Sequence, residues 1–235
     1  MSAHVSIAFA LSIVLVFAAP AAAGTVVGKK LVPPATGKIR VAVVVHEGAT
    51  MIDFAGPWEV FQDVHLPSRG SSMGEQHPFA LYTVSISKSP IRTTGGMTVI
   101  PDYTFADAPA PHVVVIGAQS GDTPQLRAWL EQAARRADVV MSVCTGSFKL
   151  GAAGLLDGKP ATTHHDHFEE FSRRFPRAKL VRDRRFVQSD PVIMTTAGLS
   201  SGIDGALHVV ERYFGREVAQ RTADYMEYSG AGWKR

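Results

Sequence analysis

Four short apolar runs, rich in β-branched residues, constrain this chain most: Ile39-Arg40-Val41-Ala42-Val43-Val44-Val45, Val113-Val114-Val115-Ile116, Val139-Val140-Met141-Ser142-Val143 and Val192-Ile193-Met194-Thr195-Thr196. A strand apolar on both faces needs cover on both faces, which the centre of a parallel sheet flanked by helices supplies. Residues 80–87 alternate more and are expected nearer an edge. Helical spacing fills the gaps. Residues 57–64 bring Trp58, Val60, Phe61 and Val64 together. Asp122-Thr123-Pro124 opens a helix through Leu126, Trp129, Leu130 and Ala134, with Pro in the first turn where its missing N–H costs little. Residues 146–156, 203–214 and 216–227 continue the pattern. Strands alternating with helices mean βαβ units and an open α/β sheet. Ile91-Arg92-Thr93 and Met97-Thr98-Val99-Ile100 flank Gly95-Gly96 and read as a hairpin beside the sheet.

A length of 235 residues suits one domain with a sizeable core. The net charge of +3 demands neither nucleic acid nor an acidic membrane as a partner. A locally basic stretch (Arg173, Arg174, Arg177, Lys179, Arg182, Arg184, Arg185) reads as a solvated helix end and hairpin. The first residues differ in kind. Ile7 to Phe17 is apolar and uncharged, and Ala18-Ala19-Pro20-Ala21-Ala22-Ala23 precedes Gly24, as in a secretory signal peptide with Ala21 and Ala23 at the cleavage positions. The n-region has only His4 as a basic residue, so an uncleaved anchor is the alternative. Residues 1–23 are therefore expected to be a signal, 24–37 a linker, 38–228 the domain and 229–235 a C-terminal tail. The expected location is secreted or periplasmic, with Gly24 as first mature residue and no membrane association after cleavage.

The single cysteine, Cys144, excludes an intramolecular disulfide and leaves either an inert buried thiol or a reactive one. Its context is strand, then Cys144-Thr145-Gly146-Ser147, then helix. Open α/β sheets place ligands at such carboxyl ends of strands. The helix N-terminus is expected to favour the thiolate, and Gly146 to relieve crowding behind the turn. His164 follows Pro160-Ala161-Thr162-Thr163, which reads as the next, adjacent parallel strand. That would bring the imidazole to the same edge. Asp53, in Gly48-Ala49-Thr50-Met51-Ile52-Asp53-Phe54-Ala55-Gly56-Pro57, lies just beyond the first strand, either as a helix cap or as a carboxylate in the site. The run His164-His165-Asp166-His167 matches no zinc-ligand spacing and reads as a polar helix start, so no metal is expected. No dinucleotide fingerprint follows the first strand, and no cofactor is expected.

Val143-Cys144-Thr145-Gly146, Ala152-Ala153-Gly154-Leu155-Leu156-Asp157-Gly158 and Ala161-Thr162-Thr163-His164 resemble the ThiJ/PfpI superfamily, which is class I glutamine amidotransferase-like. Asp53-Phe54-Ala55-Gly56-Pro57-Trp58-Glu59-Val60-Phe61 resembles its branch of isocyanide hydratases and the ligand domain of AraC-type regulators. The resemblance implies a flavodoxin-like three-layer α/β sandwich with a mostly parallel sheet and a nucleophile elbow, usually a homodimer. It implies Cys144 as nucleophile, Asp53 as the acid hydrogen-bonded to it, and Thr145 lining the site through its N–H and hydroxyl. Gly117 and Ala118 match a loop whose N–H groups stabilise an anion, and His164 falls at the family's Thr-Thr-His position. Protease-like members have His directly after the cysteine. Here that residue is Thr145, which argues against a peptidase. His165 stands where the hydratase-like branch usually has an aromatic.

The implied chemistry is cysteine-dependent addition of water to a small electrophilic substrate, foremost an isocyanide giving an N-formamide. One alternative is glyoxalase-type conversion of α-oxoaldehydes, with His164 moving protons. The other is a non-enzymatic exported domain that binds a small molecule or senses oxidants. Because the sequence ends soon after Tyr228, the helix-turn-helix reader of the regulators is not expected.

Overall fold

The computed structural model describes residues 28–234, and the expected signal at residues 1–23 lies outside them. The chain runs β1 (Ile39–Val44), α1 (Met51–Gln62), α2 (Met73–Gln76), β2 (Phe79–Ser85), β3 (Ile91–Arg92), β4 (Thr98–Val99), β5 (Tyr103–Thr104), β6 (Val113–Ile116), α3 (Pro124–Ala134), β7 (Val139–Ser142), α4 (Ser147–Ala152), β8 (Pro160–Ala161), α5 (Phe168–Arg174), β9 (Lys179–Leu180), β10 (Phe186–Gln188), β11 (Ile193–Thr196), α6 (Ser201–Phe214) and α7 (Arg216–Tyr225).

Seven strands make the main sheet in the order β10-β11-β7-β6-β1-β2-β5. All its pairings are parallel except β10 with β11. The continuous apolar runs occupy its centre for the expected reason. Val41, Val43, Val113, Val115, Val139 and Met141 feed the core under α1, α6 and α7. Ala42, Val44, Val114, Ile116 and Val140 feed a second core with Leu126, Leu130, Leu150 and Phe171 from α3, α4 and α5. Side chains alternate across a strand, so only runs apolar at both parities can line two cores at once. The result is the expected three-layer, flavodoxin-like α/β sandwich. Strand order reverses between β1 and β6, and ligand crevices form at the carboxyl ends there.

Several elements differ from the expected bounds. Helix α1 begins at Met51, with Pro57 inside it. Proline has no N–H to donate, so the Asp53 carbonyl one turn earlier loses its helical partner. Helix α4 stops at Ala152, so the elbow is followed by six helical residues. The short strand before His164 does not lie beside β7. It pairs with β9 in a separate two-stranded sheet, and β11 takes the place next to β7.

The ends of the domain are tied down as well. Leu31, in the expected linker, is buried, and its N–H donates to the Arg212 carbonyl at 2.8 Å. The buried Arg212 side chain donates back to the Lys29 carbonyl at 3.0 Å. Trp233, in the expected tail, is fully buried and belongs to the core under α6. Trp233→Ala is therefore expected to cost about 3–5 kcal/mol, as deletion of a large buried aromatic does. Urea denaturation measures this; an unchanged midpoint would mean that the segment is peripheral after all.

Candidate active site

Three strand ends converge beside the reversal point, each followed by a residue of the expected site. Cys144 leaves β7 with φ +57, in the left-handed region that a non-glycine residue rarely adopts. Hydrogen bonds hold it there. Its N–H donates to the Ala197 carbonyl at 3.0 Å. Its carbonyl accepts from Thr163 Oγ1 at 3.1 Å and Ser147 Oγ at 3.2 Å. Gly146 lies so close to the end of β6 that an added Cβ would run into the Ile116 carbonyl oxygen. No other residue fits the elbow at that point.

Asp53 is the third helical residue of α1, and the helix cap position is Thr50 instead. The Asp53 side chain is fully buried and turned across to the end of β6, where the Ala118 N–H donates to Oδ2 at 2.8 Å. Gly117 makes room for it: a Cβ at that residue would stand 2.6 Å from the Asp53 Cβ. The Gly117-Ala118 loop, expected to stabilise an anion, thus holds an anion of the protein itself. The other carboxylate oxygen, Oδ1, has no nitrogen or oxygen donor. The polar neighbour that the carboxyl group does share is the Cys144 thiol.

The N–H at the helix end does lower the thiol pKa, as expected, but other effects outweigh it. Burial, reinforced by the negative charge of Asp53, pushes Cys144 up to about 11. The Thr145 and Leu199 N–H groups bond the sulfur and oppose this, but do not outweigh it. Burial likewise pushes Asp53 up to about 6, against the Ala118 and Cys144 hydrogen bonds that favour its charged form. Near neutral pH the pair therefore holds one proton, on sulfur, beside a carboxylate poised to take it.

The strand that leads to His164 is not the neighbour of β7, although Thr163, just before it, reaches the Cys144 carbonyl. The His164 ring lies against the Gly198 backbone, where an added Cβ would collide with it. It accepts the Asp166 N–H at 3.2 Å and stacks on His165 with centroids 4.4 Å apart. Burial and the neighbouring His165 lower its pKa. His164, His165 and Asp166 do place three potential ligand atoms within 4.8 Å of one another. The two ring planes, however, lie 23° apart, so their in-plane lone pairs run side by side instead of converging on one ion.

The residue that sequence reasoning missed is Leu199, which follows β11 with φ +52 and gives its N–H to the sulfur. The available signal was Gly198-Leu199-Ser200-Ser201-Gly202, a small-residue turn directly after a buried strand. Helices α1 and α6 approach closely behind it. A Cβ on Gly56 would meet Ile203 at 3.1 Å, and one on Gly202 would meet Val143 at 3.0 Å and Pro57 at 3.2 Å.

The buried acid carries a stability cost whose sign follows from its proton affinity. Folded Asp53 holds its proton up to about pH 6, against a free value of 3.8. Its folded form is thus favoured below the free value and loses stability as pH rises through about 6. Asp53→Asn, which never ionises, is expected to stabilise the fold at pH 7 by on the order of 1–3 kcal/mol. That advantage should vanish by pH 4. Denaturation curves at the two pH values decide it, and an equal difference at both would exclude charge burial as the cause.

Comparison with known proteins agrees with this fold. The DJ-1/PfpI family model matches residues 39–212. An uncharacterized protein from the cpoL 5' region of Streptomyces lividans is 41% identical over 146 residues, 60% of this chain and 97% of that one. The isonitrile hydratase of Pseudomonas putida is 36% identical over 150 residues, which covers 60% of this chain and 63% of the hydratase. The HTH-type transcriptional regulator GbdR of Pseudomonas aeruginosa is 28% identical over 63% of this chain and 41% of its own length. This chain thus spans just under two thirds of the hydratase and less than half of the regulator. A solved ThiJ/PfpI family protein from Pseudomonas syringae superimposes with a TM-score of 0.70 at 26% identity, over 84% of this chain and 78% of that one. With its elbow cysteine, buried acid and flavodoxin-like sheet, the chain belongs to the DJ-1/PfpI family.

Proposed function

We propose that this protein is a cysteine-dependent enzyme that adds water to a small electrophilic carbon, with an isocyanide as substrate and an N-formamide as product. The observation that carries the reading is the buried Asp53 carboxyl beside the buried Cys144 thiol. Asp53 takes the thiol proton as sulfur attacks the terminal isocyanide carbon, then delivers that proton to the same carbon, giving a thioimidate, R–N=CH–S–Cys144. Water adds to the thioimidate carbon. Collapse of the adduct expels the thiolate, which regains its proton, and releases R–NH–CHO. The Thr145 and Leu199 N–H groups stabilise the sulfur whenever it is anionic. Identity of 36% to an isonitrile hydratase supports the choice of substrate. The scheme calls for no cofactor or metal.

The glyoxalase alternative needs an imidazole that moves protons at the sulfur; His164 is tied to Asp166 and stacked on His165, whereas the titratable group coupled to Cys144 is Asp53. A glyoxal and methylglyoxal panel run beside the isocyanide assay separates the two. An oxidant sensor is less well served by a thiol that stays protonated at neutral pH, because the thiolate is the form that reacts. Export to the secreted or periplasmic space and assembly as a homodimer belong to the same proposal; N-terminal sequencing of the exported protein and sedimentation test them.

Cys144→Ala is expected to reduce formamide release by at least about 1,000-fold while leaving the fold intact, since truncating a nucleophile removes the covalent route. Undiminished turnover would sink the mechanism. The rate (kcat/KM) should rise with pH through about 6 as Asp53 becomes able to accept the thiol proton, then stay level through neutral pH. Asp53→Asn should abolish that rising limb along with most of the activity.

A further inference from the structure

The Ala197–Ser201 loop supplies both the carbonyl that fixes the Cys144 backbone and the Leu199 N–H that bonds its sulfur, so whatever fixes this loop fixes the reactivity of the cysteine. One residue grips it from outside, through its backbone on one side and its side chain on the other. The Arg185 carbonyl accepts the Ala197 N–H at 2.9 Å, and its Nη2 donates to Ser200 Oγ at 3.1 Å. The two grips lie on either side of Leu199. The guanidinium is in turn locked by Asp204, the fourth residue of α6, whose Oδ2 accepts from Arg185 Nε at 2.7 Å and from the Tyr228 hydroxyl at 3.1 Å. Asp204 is fully buried, and its other oxygen has no partner, so this carboxylate depends on Arg185 for its charge balance. The turn at Gly232 closes over both groups: a Cβ there would meet Arg185 Cγ at 2.8 Å and Asp204 Oδ1 at 2.9 Å.

We propose that Arg185, held by Asp204 and Tyr228, is a positioning residue that keeps the Leu199 N–H aimed at the Cys144 sulfur and thereby sets how readily that sulfur becomes nucleophilic. Leu199 stands at φ +52, a conformation an unrestrained leucine leaves readily, so the loop needs an external hold on both sides of it. The inference rests on Cys144 as a nucleophile but not on isocyanide as its substrate. Iodoacetamide reads the sulfur directly: thiolate displaces iodide and forms a thioether. Because Cys144 is the single cysteine of the chain, the adduct reports one site.

The test is the rate of alkylation of the folded, full-length protein between pH 7 and 10. Ser200→Ala is expected to slow it about 3-fold, Tyr228→Phe about 2-fold and Arg185→Met about 10-fold across that range, as thiolate content falls. Arg185→Lys should restore part of the loss. A role confined to folding would lower the melting temperature and leave the alkylation profile of the folded protein where it was. Where Arg185→Met strands the Asp204 carboxylate and does not fold, Ser200→Ala and Tyr228→Phe decide, since both keep the ion pair. Rates in those variants equal to or faster than the parent protein overturn the proposal. Absent isocyanide turnover, with the alkylation pattern as expected, would overturn the substrate assignment alone.

Discussion

The hydrogen bond from the Ala118 N–H to Asp53 joins the exits of β1 and β6 where the strand order reverses, and the rest of the site is arranged around it. A carboxyl group can sit in this dry position only if neighbouring loops give up volume. Gly117 gives it up directly against Asp53, and Gly146 does so against the end of β6. These two glycines bring backbone to backbone, which places the thiol beside the acid. Without the Ala118 N–H on Oδ2, only the Cys144 thiol would offset the cost of burying the Asp53 carboxylate.

The electrostatic character of the site follows from burial more than from helix geometry. A helix N-terminus lowers a thiol pKa when the thiol is otherwise solvated. At Cys144 the medium is protein, the helix is six residues long and a carboxylate stands adjacent. Desolvation raises both acids, and like charge keeps them from ionising together. The site thus stores its proton inside the pair, ready for transfer to a substrate carbon. Two N–H groups, from Thr145 and Leu199, are reserved for the moment the sulfur carries charge.

The sheet was legible because its central strands are apolar at both parities, a pattern with few other uses in a chain of this size. Cys144 and Asp53 were legible because each follows such a strand at the edge where ligands bind. The strand before His164 was misplaced for a topological reason. Sequence order suggested that Pro160-Ala161 continues the sheet beside β7, but β11, more than thirty residues later, fills that position through pairs such as Ile193 with Val140. Arg185 was hidden for another reason. In a run of seven basic residues, composition does not tell which one meets a buried acid, and its partner Asp204 lies in a helix read only as amphipathic. Likewise the termini looked like linker and tail because Gly, Pro and a few apolar residues carry no periodic signal, although Leu31 and Trp233 are buried.

The left-handed backbone at Cys144 has an evolutionary side. At φ +57 glycine is the most comfortable residue and β-branched side chains are the least. Threonine, a nucleophile in other enzymes, is thereby disfavoured at this position, and serine is the small hydroxyl residue that could follow cysteine there. Drift also has a direction. Replacement by glycine would relax the turn and destroy the chemistry in one step, so the backbone at the elbow gains nothing from keeping its sulfur. A lineage that loses the need for the reaction should lose this residue early while keeping the sheet, the glycines and the rest of the fold.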